Sequence, residues 1–590
     1  MAFVWADYLV CILLLLVSSA VGVYYRFTGD KQRTNREYLL ANKSANVWTV
    51  AFSLMATFMS SITLLGVSAE NYTFGTHFII INLSYGVFTP VAAYLYLPVF
   101  YKLQTTSVYE YLERRFGAAT RLVASLAFSL QMILYMGIVV FAPALALETL
   151  TEVDQITSVF IIGIVCTFYA TLGGMKAVLL TDLIQSILMF GAVICVVGTA
   201  VAAIGFDGIW ETAELGGRIE FFNFSVDPTT RHTWFTNIIG GGLTFLSLYA
   251  VNQAQVQRYL SVKDLKSAQK SLFLNWPILS ALSLITSFSG LAIFSKYILC
   301  DPIITKRITQ MDQLMPQYVL DSMGGFPGIS GLFAAGIFSG SLSTVSGALN
   351  SLAAVTIEDY LKPLIKRIKG RGMEESLSVF WTKLLCVGYG ICCLAVAFAA
   401  RYLGGVLQTS LTVFGIIGGP LLGVFTLGMF FPSANEIGAL TSLFVSVAFG
   451  LFLGFGKDKP PQPVLPTWAT EEGCKEFPDV TWSDEFKNRT VTIDGSKYMY
   501  LYRISYQWYI VLGLLLAIAV GLFVSMIASK CGYATEEPHP DLFTPFVAKR
   551  LRKKRQTYSD VTEIENNEKT TVILRRVSPQ RSEDQIKTIS

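Results

Sequence analysis

Charge is scarce in this chain. Only 45 of its 590 residues are Lys or Arg and 41 are Asp or Glu, too few to solvate the surfaces of the roughly four domains that a soluble chain of this length would form. The net charge of +4 is small, and the basic residues fall in short blocks between apolar runs, which argues against a nucleic-acid partner. Histidine is scarcer still. The three, His77, His232 and His539, lie at the edges of apolar runs or in loops, and no His, Asp or Glu pair stands at metal-ligand spacing inside a run. An enzyme working inside the membrane is therefore not expected. Nine cysteines are no disulfide scaffold, and Cys11, Cys166, Cys195, Cys386, Cys392 and Cys393 sit within apolar runs as small hydrophobes. Met1 to Ala6 holds no Lys or Arg, so the basic start of a secretory signal is missing and the first apolar run reads as a retained helix, with a cleaved signal as the alternative.

What is abundant is apolar side chain, 53% of the total with 13% aromatic. A bilayer core of about 30 Å takes about 20 apolar residues as a helix, because every backbone polar group must find its partner within the segment. That ruler predicts an all-α polytopic membrane protein with thirteen spans, at 7–25, 47–70, 77–101, 121–150, 156–172, 177–204, 234–256, 272–297, 328–354, 378–400, 405–431, 436–456 and 506–528. An odd count puts the termini on opposite sides. Basic residues in short loops assign the sides. Arg26 to Lys43 after span 1, Lys102 to Arg121 after span 3, Arg258 to Lys270 after span 7 and Lys362 to Arg371 after span 9 all fall on the side of the carboxyl terminus. The amino terminus is thus expected outside and the carboxyl terminus in the cytoplasm of a plasma-membrane protein. Asn488, in the triplet Asn488-Arg489-Thr490 of the loop 457–505, is a glycosylation acceptor on the outer side of this scheme. Cys300 and Cys474 fall on the same oxidising side and are a candidate disulfide. From about 530 the chain is polar, with the run Lys549, Arg550, Arg552, Lys553, Lys554, Arg555. Either it meets an anionic inner leaflet or it is a stop-transfer flank followed by unstructured chain.

Passage rather than chemistry is the expectation. Ionisable groups within spans lie near their ends, Asp182 and Lys383 toward the cytoplasm, Glu70 and Glu148 toward the outside. Span 2 is rich in hydroxyls (Ser53, Thr57, Ser60, Ser61, Thr63), and so is span 9 (Ser339, Ser341, Ser343, Thr344, Ser346) among Gly336, Gly340 and Gly347. One reading is close helix packing with hydroxyls bonded to their own i−4 carbonyls. The other is a sodium site, in which adjacent Ser343 and Thr344 hydroxyls join carbonyls freed where a helix is interrupted.

The stretches GGMKAVLLTDLIQ at 173–185, SVYEYLERRF at 107–116, NQAQVQRYLS at 252–261 and GGPLLGVFTLGM at 418–429 resemble signatures of the sodium:solute symporter family. Residues 53–75 and 339–363 resemble its monocarboxylate, multivitamin and iodide branch more than its sugar branch. The resemblance, over about 7–530, implies a leucine-transporter fold with two inverted five-helix repeats and extra helices at both ends. It divides the chain into a first helix and loop (1–46), a first repeat (47–204), an outer loop (205–233), a second repeat (234–431), the last two spans with the loop 457–505 (432–528), and a basic tail without fixed structure (529–590). Breaks are expected near Thr57 in span 2 and at Gly240-Gly241-Gly242 leading into span 7.

Carried over by position, the resemblance implies sodium on the carbonyls of Ala56, Met59 and Gly340 and the hydroxyls of Ser343 and Thr344. Asp182 matches an acidic position along the inner sodium exit, or else pairs with Lys176 or a loop arginine. Substrate-facing positions fall on Thr57, Asn82, Gln131, Tyr135, Tyr249, Asn252, Gln253 and Thr412. Asn82 is neutral where sugar carriers of the family place an acid, which disfavours sugars. With no arginine inside a span, a small organic anion would meet hydroxyl and amide donors and helix amino-terminal dipoles. The expectation is sodium-coupled symport of a monocarboxylate or a vitamin such as biotin or pantothenate, by alternating access and without a cofactor. The alternatives are a sugar, polyol or iodide carrier, or a membrane sensor or channel on the same fold.

Overall fold

The computed structural model describes residues 3–27, 41–151, 153–172, 175–402, 404–456, 459–460, 462–480, 482–483, 497–533 and 538–556. Asn488, the basic stretch 28–40 and the tail beyond 556 lie outside them. Every named element among the described residues is helical, and the one isolated β-bridge joins Cys300 to Ala469. In chain order the main helices are α1 (Trp5–Phe27), α2 (Val47–Phe58), α3 (Thr63–Phe74), α4 (Thr76–Leu103), α5 (Ala118–Leu150), α6 (Gln155–Leu172) and α7 (Met175–Leu215). They continue with α8 (Gly241–Tyr249), α9 (Gln253–Tyr259), α10 (Leu265–Tyr297), α11 (Ile329–Lys369), α12 (Glu375–Ala400), α13 (Val406–Phe430), α14 (Glu436–Phe455) and α15 (Tyr506–Lys530).

Among the described residues nine of these are long and apolar enough to cross a membrane, and α2 with α3 makes a tenth span, bent by 66° at its break. By this length-and-hydropathy criterion the expected count of thirteen spans is not confirmed. The first and sixth expected spans correspond to α1, helical over Trp5–Phe27, and α7, which starts at Met175, while the fifth corresponds to α6, helical over Gln155–Leu172. Span 7 is divided into α8 and α9 at 250–252, where Asn252 caps α9 by accepting the Ala254 amide at 2.9 Å. The expected break at Gly240-Gly241-Gly242 is absent. Those glycines are helical, and a Cβ on Gly240 would come within 2.4 Å of the Gln507 carbonyl oxygen. They serve close approach of α4 and α15, not a hinge. α7 is interrupted at Gly205, whose φ of 73° and ψ of 169° are non-helical, so the helix of span 6 stops there and a second helical segment continues to Leu215.

Burial separates transport core from lipid-facing shell. Every residue of α11 from Phe333 to Val355 is buried, which its Gly, Ala and Ser content permits because small side chains let neighbouring backbones close in. On α12 and α15, by contrast, Phe380, Ile391, Leu515 and Phe523 are exposed, as lipid contact requires.

Cys300 and Cys474 are joined as a disulfide, and the backbones of Asp301 and Thr470 bond across to Trp468 and Leu299 at 3.1 and 2.8 Å. Reduction, or Cys300→Ser, is expected to shift the chain's mobility on a non-reducing gel; identical migration of wild type and variant would mean free thiols.

The tail departs from its expected lack of structure between 538 and 556. Leu542, Phe543 and Thr544 are buried against the ends of the spans, and residues 545–556 are helical.

Candidate functional site

The break between α2 and α3 organises the centre. Met59 leaves the helical region with ψ of 87°, and the Ser60 hydroxyl restarts the helix by accepting the Ile62 amide at 3.2 Å. The break thus falls at Met59-Ser60, just beyond Thr57, whose hydroxyl bonds back to the Ser53 carbonyl at 2.6 Å. A helix ending here leaves carbonyls of its last turn without amide partners. The Ala56 carbonyl turns to α11, where it lies 2.9 Å from the Ser343 hydroxyl and 3.3 Å from that of Thr344. The same two hydroxyls lie 3.0 and 2.9 Å from the Gly340 carbonyl. Gly340 makes the approach possible, since a Cβ there would meet the Ser61 amide nitrogen at 2.9 Å.

Four oxygens therefore converge in a site from which water is excluded, with Ser343 and Thr344 at most 1% exposed. Each hydroxyl has one proton but two carbonyls within reach, so two of the four close O···O contacts carry no hydrogen. The cluster is rich in acceptors and short of protons, which favours a cation. The hydroxyls do bond back to Gly340, as close packing alone would have them do. Their simultaneous approach to Ala56 on another helix is what packing does not require.

Nearly two turns before the break, Ser53 donates to Asp182 of α7, and Arg258 of α9 reaches both, its Nε 2.8 Å from the Ser53 hydroxyl and a terminal nitrogen 3.2 Å from Asp182. Both charged side chains are fully buried. The partner that the sequence left open for Asp182 is thus Arg258, not Lys176. This also corrects the expectation of a core without arginine, since Arg258 lies just past the predicted end of span 7. One carboxylate oxygen of Asp182, Oδ1, is buried without a hydrogen-bond partner.

Beside the break lies a cavity of about 80 Å³, room for a few waters. Phe58, Tyr135, Tyr249, Phe245 and Phe414 form much of its wall, with Tyr135 and Phe414 4.7 Å apart between ring centres and Phe245 and Tyr249 4.5 Å apart. Of the eight positions predicted to face substrate, Tyr135 and Tyr249 line it. The other six lie elsewhere. Thr57 is back-bonded in α2. Asn82 donates to the Ile79 carbonyl. Asn252 caps α9. Gln253 ties α9 to the loop before the short helix Glu110–Arg115, bonding Val108 and Thr106 at 2.8 Å each. Gln131 is buried with its amide nitrogen lacking a partner, close to Gly418, and Thr412 stands on α13 two residues from the lining residue Ser410. Thr63, Tyr85, Thr244, Ser283 and Ser410 supply polar lining that the sequence reading missed. Hydroxyl content alone could have marked them; which face of each helix turned inward could not be known.

At the far end of α3 from the break, Glu70 receives two bonds from Arg231, at 2.7 and 2.9 Å, and one contact from His232 at 2.6 Å, while Arg231 also bonds Gln408 of α13 at 2.8 Å. Burial opposes the charge of Arg231, yet the Glu70 carboxylate holds the guanidinium above its ordinary range. For His232 burial prevails and keeps the imidazole below its usual value.

The profile of the sodium:solute symporter family matches residues 38–446. A Drosophila melanogaster protein provisionally named sodium-dependent multivitamin transporter is 51% identical over 568 residues, 94% of each chain. The Homo sapiens sodium-coupled monocarboxylate transporter 1 is 42% identical over 89% of this chain and 87% of its own. Among solved structures, a substrate-bound, outward-open Na+-coupled sialic acid symporter superposes with a TM-score of 0.73 at 25% identity, over 89% of this chain and 98% of that one.

Proposed function

This chain belongs to the sodium:solute symporter family, and from that premise we propose that it carries a small organic anion, a monocarboxylate or a carboxylate-bearing vitamin, into the cell together with sodium. The observation that carries the reading is the acceptor-rich cluster of Ala56, Gly340, Ser343 and Thr344 at the helix break, next to a cavity without acidic lining. Sodium occupies the cluster with the Met59 carbonyl as a further ligand, and Asp182 stands on its inner exit. The anion binds in the aromatic cavity among Tyr135, Tyr249, Thr63 and Ser410, with the bound cation as its counter-charge. Each ligand then raises the affinity of the other. The relatives named for multivitamin and monocarboxylate transport support this substrate class. The two inverted repeats at 47–204 and 234–431, plasma-membrane residence, an outer amino terminus and a cytoplasmic carboxyl terminus belong to the same proposal.

Energetics set the stoichiometry. At about 60 mV one charge moving inward gains about 1.4 kcal/mol, and a tenfold sodium ratio adds about 1.4 kcal/mol. One sodium with a monovalent anion is electrically silent and concentrates the anion about tenfold; two give about a thousandfold. Two or more sodium ions per anion are therefore proposed. Uptake of a panel of labelled monocarboxylates and vitamins, with sodium replaced by choline, tests the coupling. Substrate-evoked inward current is expected alongside it; sodium-dependent uptake without current would remove the second sodium, and current without accumulation would make the protein a channel.

A further inference from the structure

The docked carboxyl-terminal segment makes a charged surface apart from the oxygen cluster and the aromatic cavity. Its anchor is short and specific. The Thr544 amide bonds the Met429 carbonyl at the end of α13 at 3.2 Å, and Phe543 lies under the Arg115 guanidinium, which bonds the Gly428 carbonyl at 3.0 Å. Lys102, at the end of α4, reaches Asp541 at 3.4 Å. The helix 545–556 therefore begins beside the ends of α4 and α13.

Its register divides the side chains. Ala548 is buried, with Val547 and Leu551 half-buried against the protein. Arg552 and Arg555 turn back to Asp541 and the Pro538 carbonyl. Phe546, Lys549, Arg550, Lys553 and Lys554 fall at i, i+3, i+4, i+7 and i+8, one face of a helix. All five are exposed, Phe546 by 76%. An aromatic ring at one end of a basic stripe suits an anionic interface, where lysine and arginine meet headgroup charges and the ring enters the headgroup layer.

We propose that this face is a docking surface for an anionic phospholipid bilayer, and that through Thr544 and Phe543 it ties the end of α13 to the membrane surface. Full-length protein carrying Phe546→Trp, in nanodiscs of brominated phosphatidylcholine with or without brominated phosphatidylserine, tests this against the wild-type tryptophan background. The added tryptophan should be quenched at least about twofold more in the anionic discs. Lys549→Gln/Arg550→Gln/Lys553→Gln/Lys554→Gln, all exposed, should abolish the difference without altering sodium-dependent uptake in neutral membranes, and high salt should weaken it. Equal quenching in the two compositions overturns the proposal and leaves the stripe to a soluble acidic partner. A difference that survives loss of the four charges overturns it as well.

Discussion

Ser343→Ala/Thr344→Ala is expected to raise the sodium concentration for half-maximal uptake by a factor between about ten and ten thousand, with the protein still reaching the membrane. Each hydroxyl lies within 3.3 Å of both the Ala56 and Gly340 carbonyls, so removing the pair takes two of the proposed ligands from a water-free site. At about 1–3 kcal/mol for each unmet polar contact, two losses are worth about one to four powers of ten in affinity. Folding should suffer less, because Ala fits the small-residue surface of α11. Thr344→Ser, which keeps the oxygen, should stay close to wild type. Sodium activation unchanged in the double variant would move the ion away from the α2 break and with it the reading of the cavity beside it.

The second large effect concerns Asp182 and Arg258. Both are fully buried, and Ser53 bridges them. Arg258→Met leaves a carboxylate deep in the core with one hydroxyl donor, and Asp182→Asn leaves a guanidinium without its counter-charge. Breaking a buried pair by removing one partner costs about 3–5 kcal/mol. Either single change should therefore deplete folded protein and lower its melting temperature, while Asp182→Asn/Arg258→Met should recover much of the loss, since no buried charge is then orphaned. Melting of the purified proteins in detergent, treated as a double-mutant cycle, reads the coupling directly. Additive losses in the double variant would show that the two side chains act independently. If Asp182 also lies on the sodium exit, the folded double variant should turn over slowly despite its recovered stability, which separates the transport role from the structural one.

Particular residues show how far the sequence could be read. The meeting of Ser343 and Thr344 with the Ala56 carbonyl was legible because the two hydroxyls are adjacent on a run of small residues and the resemblance paired them with the end of span 2. The break itself was misplaced by only two residues, since a run of small and hydroxyl-bearing residues marks a weak stretch of helix without saying which carbonyl is released. In span 7 the glycine triplet pointed to a hinge, yet the backbone breaks at 250–252, because the glycines are occupied in packing against Gln507, Ile81 and Phe88. Substrate positions fared least well. Tyr135 and Tyr249 line the cavity, but Asn252 and Gln253 are spent on a cap and a loop, roles that local sequence does not distinguish from ligand binding.

Composition and run length alone settled that this is a helical membrane protein, since lipid offers no partner for a backbone amide and only a helix satisfies every one within its own segment. The ordered signatures settled the family. What awaited the folded chain was every relation between distant segments: α11 brought against α2 across nearly 300 residues, Cys300 meeting Cys474, Arg258 drawn inward to Asp182, the tail held under Arg115. Those relations depend on which face of each helix its neighbours cover, and in a membrane, where apolar residues surround a helix on all sides, hydropathy carries no record of that choice.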